Sequence, residues 1–160
     1  MKTQIRNAHT GDLDQLSDYI VWGQGLHIKA HPDLFVPVDK GAARSFLLEY
    51  LDSKTSYIRV AERQSTIAGF SFVEIYEKGG SSLYLPRRFA YLELIAVDPH
   101  HQRRGIGSAL LADARDIARS RGIHRIELDV MSLNEGARHF YSSQGFSELG
   151  CRMYSDEPIA

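Results

Sequence analysis

The segment 102–108, QRRGIGS, brings two arginines and two glycines together at the start of a helical pattern. Unpaired backbone amides and the helix dipole favour an anion at such a position, and glycines let the backbone approach it closely. Arginine adds charge-assisted, often bidentate, hydrogen bonds to phosphate oxygens. The loop therefore predicts a phosphate-binding site. The alternative is a glycine-rich turn that only makes the turn and whose arginines are solvated.

Two other phosphate-binding motifs fit this loop less well. Its glycine pair begins the G-x-G-x-x-G pattern of dinucleotide-binding folds, and Glu127 or Asp129 follows about 20 residues further on. However, Leu110 stands where the third glycine should be, and the glycines come well after the strand end at Val97. A nucleotide-dependent oxidoreductase is thus a weaker alternative. A P-loop is excluded because no Gly-Lys-Ser/Thr follows.

Hydrophobic periodicity predicts the elements that must position this loop. Apolar alternation or short apolar runs indicate strands, and apolar residues at three- and four-residue spacing indicate helices. The predicted elements are a strand (4–7), a helix from Leu13, an irregular or broken helical segment (23–38), a helix (roughly 40–51), a hairpin (57–62 with 67–76), a strand (90–97), a helix (106–122), a strand (126–130), a short helix ending at Gly145, and a last strand (149–154). This order predicts a mixed α/β (α+β) fold in one domain, residues 1–160.

Glu93 is the lone acid in the otherwise apolar strand 90–97. Apolar residues on both faces predict a central strand that is covered on both sides. Burial there would raise the pKa of the carboxyl group toward a value useful for a general base. Alternation places Glu93 on the face shared by Tyr91, Ile95 and Val97. The alternative is a structural partner for an arginine, or an acid facing solvent at an opening in the sheet.

Two motifs resemble those of a known family. Residues 94–99, LIAVDP, followed by residues 102–111, QRRGIGSALL, resemble the central motif Q/R-x-x-G-x-G/A of the GNAT superfamily of N-acetyltransferases. The later pattern Asn134-x-x-Ala137-x-x-Phe140-Tyr141-x-x-x-Gly145-Phe146 resembles the C-terminal motif of that family. The resemblance implies a mostly antiparallel central sheet flanked by helices, with a V-shaped splay between two central parallel strands. The first half of the chain resembles the family in layout only.

The resemblance also implies acetyl-CoA as the co-substrate. Its pantetheine arm would pair with backbone groups near the end of the strand 90–97, much as an added strand would, and its pyrophosphate would meet the loop amides. The cofactor-contacting residues implied are Ile95, Ala96, Val97, Gln102, Arg103, Arg104, Gly105, Ile106, Gly107, Ser108 and Asn134. The implied reaction is direct attack of a primary amine of a small molecule or peptide on the thioester carbonyl in a ternary complex.

Two side chains are the candidates for proton transfer. An alkyl amine with a pKa near ~10 must lose a proton, and the departing thiolate, like cysteine at ~8.5, must gain one. Tyr141, at the position of a tyrosine that often lies near the thioester sulfur in this family, is the candidate general acid; helical spacing alone would make it a core aromatic beside Phe140. Glu93 is the candidate base, with a water channel as the alternative. A backbone amide near Ile95 is a candidate to polarise the carbonyl oxygen. The alternative function is a non-catalytic acyl-CoA-binding or sensor module of the same fold.

The acceptor site is implied only in outline. In this family the N-terminal helices and the loops around the middle hairpin usually build it. The residues that this layout implicates are Tyr19, Trp22, His27, Phe35 and residues 84–89, with core packing as the alternative for Trp22 and Phe35. The charges of Glu74 and Glu77 would attract a positive amine, and the alternative is that both acids are only solvated. Which amine the acceptor carries stays open.

Composition narrows the other partners. The formal net charge of -1 gives no general field toward nucleic acid or an anionic membrane, and no apolar run approaches membrane-spanning length. The single Cys151 and the lack of a secretory pattern predict a cytoplasmic location. His27 and His31 have the spacing of a metal pair, but Pro32 follows at once and no third ligand lies in motif range, so no metal is expected. Homodimers are common in the family, although no apolar stripe establishes an interface.

Overall fold

The computed structural model describes residues 3–155. Its elements are β1 (Gln4–Asn7), a short 3₁₀ turn (Thr10–Asp12), α1 (Leu13–Ala30), α2 (Lys40–Leu51), β2 (Ser56–Arg63), β3 (Thr66–Lys78), β4 (Arg87–Val97), a second 3₁₀ turn (Pro99–His101), α3 (Ile106–Ser120), β5 (Ile126–Glu127) and α4 (Glu135–Ser143). The chain packs as two compact units, one ending at Asp129 and one beginning at Val130. The single domain predicted for residues 1–160 stays a prediction.

The first unit contains a five-stranded sheet in the order β1-β2-β3-β4-β5. The pairs β1–β2, β2–β3 and β3–β4 are antiparallel, and β5 is parallel to β4. The hairpin between β2 and β3 turns through Gln64 and Ser65, whose φ angles of 51° and 60° suit a two-residue hairpin turn that follows the twist of the strands. The predicted mixed, mostly antiparallel sheet is confirmed.

The parallel pairing between β4 and β5 is short. It consists of Ala90 with Ile126 and Tyr91 with Glu127. Within residues 3–155, the stretch 92–97 of β4 has no ladder partner on the side of β5. The backbone pairing between the two parallel strands therefore ends after Tyr91, where the predicted splay begins. Beyond this point the backbone groups of β4 are available to another extended chain.

Two apolar clusters cover the two faces of the sheet. Because side chains alternate along a strand, the neighbours Val60 and Ala61 belong to different clusters. The cluster toward α1 and α2 contains Leu13, Leu16, Tyr19, Leu47, Ile58, Val60, Ile67, Phe70 and Phe72. The cluster toward α3 contains Ala61, Ala68, Ile106 and Leu110. Each leucine or phenylalanine fully buried there contributes roughly 1.5–3 kcal/mol to folding.

A β-bulge interrupts β4 at Glu93. Val73 of β3 pairs with Leu92, and the preceding residue of β3, Phe72, pairs with Leu94. Glu93 is therefore an extra residue on β4 with no ladder partner on β3. Such a residue shifts the alternation of side chains along its strand by one position.

The bulge changes the face on which Glu93 lies. Leu94 packs against the cluster toward α1 and α2, whereas Ile95 and Val97 pack on the side of α3. The carboxylate of Glu93 reaches the hydroxyl of Tyr76, which lies on the same face as Leu94 because β3 keeps regular alternation from Phe72. The prediction that Glu93 shares a face with Ile95 and Val97 is therefore wrong, because it assumed an unbroken strand.

Helix α1 is longer than predicted. It passes through Gly23 and Gly25 and ends at Ala30, so only residues 31–39 are irregular. A methyl group on either glycine would meet nothing within 4 Å, so neither glycine is required by close packing. Their intrinsic cost, about 1 kcal/mol each relative to alanine, is small beside the packing of the buried first turns. The helix ends just before His31, which precedes Pro32, as the steric restriction before proline favours.

Helix α3 matches its prediction closely. Its buried stripe consists of Ile106, Leu110, Leu111, Ala114 and Ala118. After the last turn, Gly122 adopts a φ of +68°, and the amide of Ile123 donates to the carbonyl of Ala118 at 2.9 Å. This is the left-handed C-terminal cap that the glycine predicted.

The second unit contains α4 and an irregular tail. Gly145, with a φ of +84°, follows the helix as predicted. The strand predicted for 149–154 does not form, since those residues are irregular and exposed, Cys151 among them. The strand predicted for 126–130 is limited to Ile126–Glu127. Apolar alternation yields a strand only where a neighbouring strand offers hydrogen bonds, and no such ladder is found for 149–154 within the described residues. None of the helices in residues 3–155 has the length and apolar character needed to cross a bilayer.

Candidate active site

The loop between β4 and α3 is anchored at the strand end. A carboxylate oxygen of Asp98 accepts a hydrogen bond from the amide of His100 at 2.8 Å, and the other lies 3.4 Å from the hydroxyl of Tyr19. Proline at the first position of the short turn favours this course of the chain. The side chain of Gln102 donates to the carbonyl of Val97 at 3.3 Å. Gln102 therefore ties the loop to the end of β4.

The N-terminus of α3 is free to bind an anion. Gly105, the residue before the helix, has a φ of +80° and a ψ of 3°, and no side chain within residues 3–155 caps the helix. The first amides of a helix have no acceptor within the helix, so those of Ile106, Gly107 and Ser108 remain available as donors. Arg103 also has a positive φ, 59°, and backbone turns that alternate in this way form concavities for anions. The geometry and the donors fit a phosphate group.

The two arginines of the loop add positive charge. The side chains of Arg103 and Arg104 are exposed and form no ion pair with any residue between 3 and 155. By contrast, Arg6, Arg59 and Arg87 each pair with a carboxylate. Free guanidinium groups beside an uncapped helix N-terminus strengthen the attraction for phosphate.

Glu93 lies at the bulge in a setting of hydroxyl and carboxylate groups. The hydroxyl of Tyr76 donates to one Glu93 oxygen at 2.8 Å and lies 3.3 Å from an oxygen of Glu74. Partial burial raises the pKa of Glu93, the hydrogen bond from Tyr76 lowers it, and the charges of Glu74 and Asp129 raise it again. The net effect is a raised pKa, which moves the carboxylate toward the range useful to a general base at neutral pH.

Two further tyrosines surround this carboxylate. Burial, a hydrogen bond to Asp129 and the charge of Glu93 raise the pKa of Tyr91. Burial and neighbouring carboxylates, Glu74 and Glu93 among them, raise the pKa of Tyr50 on α2. Both phenols therefore stay protonated at neutral pH. The carboxylates of Glu74, Glu93 and Asp129 have no ion-pair partner in the part of the chain that the structure describes. The strand glutamates Glu62, Glu77 and Glu127, by contrast, each form an ion pair.

The second unit carries the other predicted site residues. The side-chain oxygen of Asn134 accepts from the amide of Ala137 at 3.1 Å and caps α4, which leaves the side-chain nitrogen for another acceptor. Tyr141 packs against Phe140 and Phe146, with ring centroids 5.3 and 5.6 Å away. Burial raises the pKa of Tyr141 to about 12, so its phenol keeps a proton at neutral pH. The roles predicted for Asn134 and Tyr141 stay predictions.

The residues implicated in the acceptor site have different surroundings. Tyr19 is buried in the core, where its hydroxyl donates to a backbone carbonyl at 3.1 Å, so its contacts are structural. Trp22 is 45% exposed on α1. The rings of His27 and Phe35 lie 5.1 Å apart at the end of α1 and the segment after it. Phe89 is buried against Tyr76 and Tyr91.

The sequence reasoning missed Tyr76. A regular reading of strand 67–76 gives this residue no special role, and it lies 17 positions from Glu93 along the chain. The antiparallel pairing of Tyr76 with Phe89 brings its ring close to the bulge. The sequence did carry one signal for this contact. Glu74 and Tyr76 follow the buried Phe72 on the same face of β3, so that face becomes polar just beyond the apolar cluster.

Comparison with known proteins defines the class. A sequence profile of the acetyltransferase (GNAT) family matches residues 24–146, and the chain belongs to this family. Among curated relatives, the uncharacterized N-acetyltransferase YhfO of Bacillus subtilis is 31% identical over 110 residues, covering 69% of this chain and 71% of that protein. The chain matches only 19% of the length of the mycothiol acetyltransferase of Beutenbergia cavernae and 39% of the [ribosomal protein bS18]-alanine N-acetyltransferase of Escherichia coli. The predicted family is thereby confirmed.

Solved structures resemble the chain over nearly its full length. The F44R mutant of the BH1408 protein from Bacillus halodurans has a TM-score of 0.91 at 20% identity, covering 97% of this chain and 99% of that one. A predicted acetyltransferase from Clostridium acetobutylicum, solved with acetyl-CoA, has a TM-score of 0.71 at 17% identity, covering 97% of this chain and 96% of that one. At these identities the likeness concerns the fold, and it confirms the predicted GNAT-like fold.

Proposed function

We propose that this chain is an acetyl-CoA-dependent N-acetyltransferase that acetylates a primary amine of a small molecule or peptide by direct attack in a ternary complex. The observation that carries the proposal is the uncapped N-terminus of α3, with Gly105 in the left-handed conformation and the unpaired Arg103 and Arg104 beside it. Membership of the acetyltransferase (GNAT) family supports acetyl-CoA as the co-substrate. The single exposed cysteine suits a reducing compartment such as the cytoplasm.

Parts of the co-substrate correspond to features of the first unit. The loop amides and arginines suit the pyrophosphate. The stretch 92–97 of β4, which lacks a partner within the described residues on the side of β5, suits the pantetheine arm. In that stretch the backbone groups of Ile95, Ala96 and Val97 would pair with the amides of the arm as with an added strand. The contribution of Asn134 rests on the family motif alone.

The chemistry requires a proton acceptor for the amine and a proton donor for the thiolate. The ammonium form of the acceptor gives a proton to Glu93, directly or through water, because an alkyl amine with a pKa near ~10 is mostly charged at neutral pH. The amine nitrogen then forms a bond to the thioester carbonyl carbon and loses its second proton to solvent, the carbon–sulfur bond breaks, and the thiolate takes a proton from Tyr141, whose phenolate regains one from solvent. The products are the acetylated amine and CoA. Carboxylates without ion-pair partners around Glu93 favour a positively charged acceptor.

The decisive experiment is an amine-panel assay with the purified protein and acetyl-CoA. Release of the CoA thiol is followed by absorbance, and acetylated products are identified by mass spectrometry, which separates transfer from simple thioester hydrolysis. Stabilisation by acetyl-CoA without product from any amine would favour the acyl-CoA-binding module. Stabilisation by NAD, and none by acetyl-CoA, would favour a nucleotide-dependent enzyme, since only a ligand of the native state raises stability.

Two variants test the residue assignments. Arg104→Ala removes a charge-assisted contact and is expected to weaken acetyl-CoA binding about tenfold, while Arg119→Ala, at the other end of α3, is the control that leaves binding unchanged. Tyr141→Phe is expected to lower turnover with little change in acetyl-CoA affinity. Full turnover of Tyr141→Phe, measured where chemistry limits the rate, would contradict its role as the acid.

A further inference from the structure

Tyr76 contacts Glu93 from the neighbouring strand. Its hydroxyl lies 2.8 Å from a Glu93 oxygen, the length of a good hydrogen bond to a carboxylate. We propose that Tyr76 is a positioning residue, whose hydroxyl donates the hydrogen bond that holds the Glu93 carboxylate in the orientation needed to take a proton from the acceptor amine. The inference rests on the proposed function, in which Glu93 is the base.

The bulge explains why Glu93 needs an external partner. In a regular strand, ladder hydrogen bonds on each side fix the backbone of a residue and so the direction in which its side chain leaves the strand. Glu93 has no such ladder partner on β3. In the described residues β5 offers none either, because its pairing ends at Tyr91. The long, flexible glutamate side chain is therefore oriented by its own contacts, and Tyr76 supplies one of them as a hydrogen bond of 2.8 Å.

The ring of Tyr76 is itself held firmly. It stacks on Phe89 with 5.6 Å between ring centroids and an angle of 18°, and it meets the ring of Tyr91 edge-on at 5.9 Å. Phe89 in turn is 2% exposed, and the guanidinium of Arg87 lies 4.4 Å from its ring centroid. A ring packed on both sides presents its hydroxyl at a fixed point. This is the property that a positioning residue requires.

Tyr76 stands between two carboxylates but has one proton to donate. The distance to Glu93 is 2.8 Å and that to Glu74 is 3.3 Å, so the hydrogen bond goes chiefly to Glu93. The groups that face Glu93 are Glu74 and Tyr76 from β3, Tyr91 on its own strand, Asp129 after β5 and Tyr50 from α2. Only the Tyr76 hydroxyl favours the charged form of Glu93, while Glu74 and Asp129 oppose it.

Two substitutions should therefore shift the titration of Glu93 in opposite directions. Tyr76→Phe keeps the packed ring but removes the hydroxyl, and is expected to raise the apparent pKa of Glu93 by about one unit. Glu74→Gln removes a repelling charge and is expected to lower it. A purely structural disturbance would not produce opposite signs.

The matched control is Tyr57→Phe. Tyr57 lies on β2, with the guanidinium of Arg121 at 5.5 Å from its ring centroid. Its buried hydroxyl has no hydrogen-bond partner among the described residues. This variant removes the same atom from the same sheet and is expected to leave the titration of Glu93 unchanged.

The measurement is a pH titration of the full chain labelled with ¹³C at the glutamate carboxyl carbon, followed by NMR, with Glu93→Gln used to assign the resonance. A rise in Tyr76→Phe, a fall in Glu74→Gln and no change in Tyr57→Phe support the proposal. A Glu93 pKa in Tyr76→Phe equal to that in Tyr57→Phe overturns it. Should Tyr76→Phe fail to fold, the wild-type chain labelled with ¹³C at the tyrosine Cζ gives the test instead, and a Tyr76 resonance that does not respond as Glu93 titrates overturns the proposal.

The pH dependence of activity provides a second, separate test of the role of Tyr76. With acetyl-CoA and the best amine of the panel, the acid limb of kcat/KM should move to higher pH in Tyr76→Phe, with KM for acetyl-CoA unchanged. An unmoved limb counts against Tyr76 as a positioning residue. A wild-type protein that acetylates no amine overturns the proposed function, whereas the NMR titration still reports on the contact between Tyr76 and Glu93.

Discussion

Gly105 and Gly122 lie at the two ends of α3, and both have φ angles in the left-handed region, +80° and +68°. An alanine methyl group at either position would meet nothing within 4 Å, so substitution causes no clash. The cost is conformational, about 1–2 kcal/mol for an L-residue held in this region. A more restricted unfolded chain offsets part of it, so a net loss of about 1 kcal/mol is expected for each variant. In a chain of this size that loss lowers Tm by about 2–4 °C.

The two alanine variants should differ in their effect on acetyl-CoA. If the backbone at Gly105 relaxes, the amides at the start of α3 turn away from the phosphate, and each lost bond to a charged group is worth about 1.5–3 kcal/mol. Gly105→Ala is therefore expected to bind acetyl-CoA at least about tenfold more weakly. Gly122→Ala lies at the other end of the helix and should bind normally.

Thermal unfolding with and without acetyl-CoA, together with calorimetric titration, measures both effects. An acetyl-CoA affinity of Gly105→Ala equal to that of the unsubstituted chain would refute the reasoning that the loop amides hold the phosphate. An unchanged Tm in both would refute the conformational cost. Equal weakening in both would indicate that α3 as a whole, and not its N-terminus, limits binding.

Two further predictions concern stability. A methyl group on Gly69 would lie 2.5 Å from the carbonyl oxygen of Ala96, so Gly69→Ala should force β3 and β4 apart and lower Tm. The control is Gly79→Ala, whose methyl meets nothing within 4 Å and which should lower Tm far less. Similar Tm values in the two variants would contradict this close approach. Although burial raises the pKa of Asp12, hydrogen bonds from Arg6 and from a backbone amide lower it overall. The folded carboxylate therefore adds stability above about pH 4 that is lost as the pH falls through its folded pKa. Asp12→Asn should cost about 2 kcal/mol in urea unfolding at pH 7 and less near pH 3, and an equal loss at both would be the contrary result.

Helix α3 and the segments on either side of it could be predicted from the sequence because their signals are local. The apolar stripe of α3, the glycine loop before it and Gly122 after it each predict the structure of their own segment. The signals in the loop 102–108 are equally local, since its glycines, arginines and helix start lie within a few residues of one another, and its role in binding phosphate stays a prediction. Local rules also predicted the hairpin between β2 and β3.

The neighbours of Glu93 could not be predicted in the same way. Strand β4 is apolar on both faces, so its sequence carries no alternation that would reveal where the bulge shifts the register. The bulge is a relation between β4 and β3, as is the contact with Tyr76. The length of α1 was underestimated because isolated glycines were given more weight than the packing of the turns before them. The strand predicted for 149–154 failed because strand formation depends on a partner.

The bulge also bears on how such a protein can diverge. Leu92 and Leu94 lie on opposite faces of the sheet, and Glu93 between them has no pairing partner on β3. A point mutation at position 93 therefore changes the proposed base without removing a side chain from either apolar cluster. Selection on the chemistry of this position and selection on the stability of the strand are largely separated. Under the proposed mechanism, a substitution at position 93 would thus alter the base while the core sequence stays as it is.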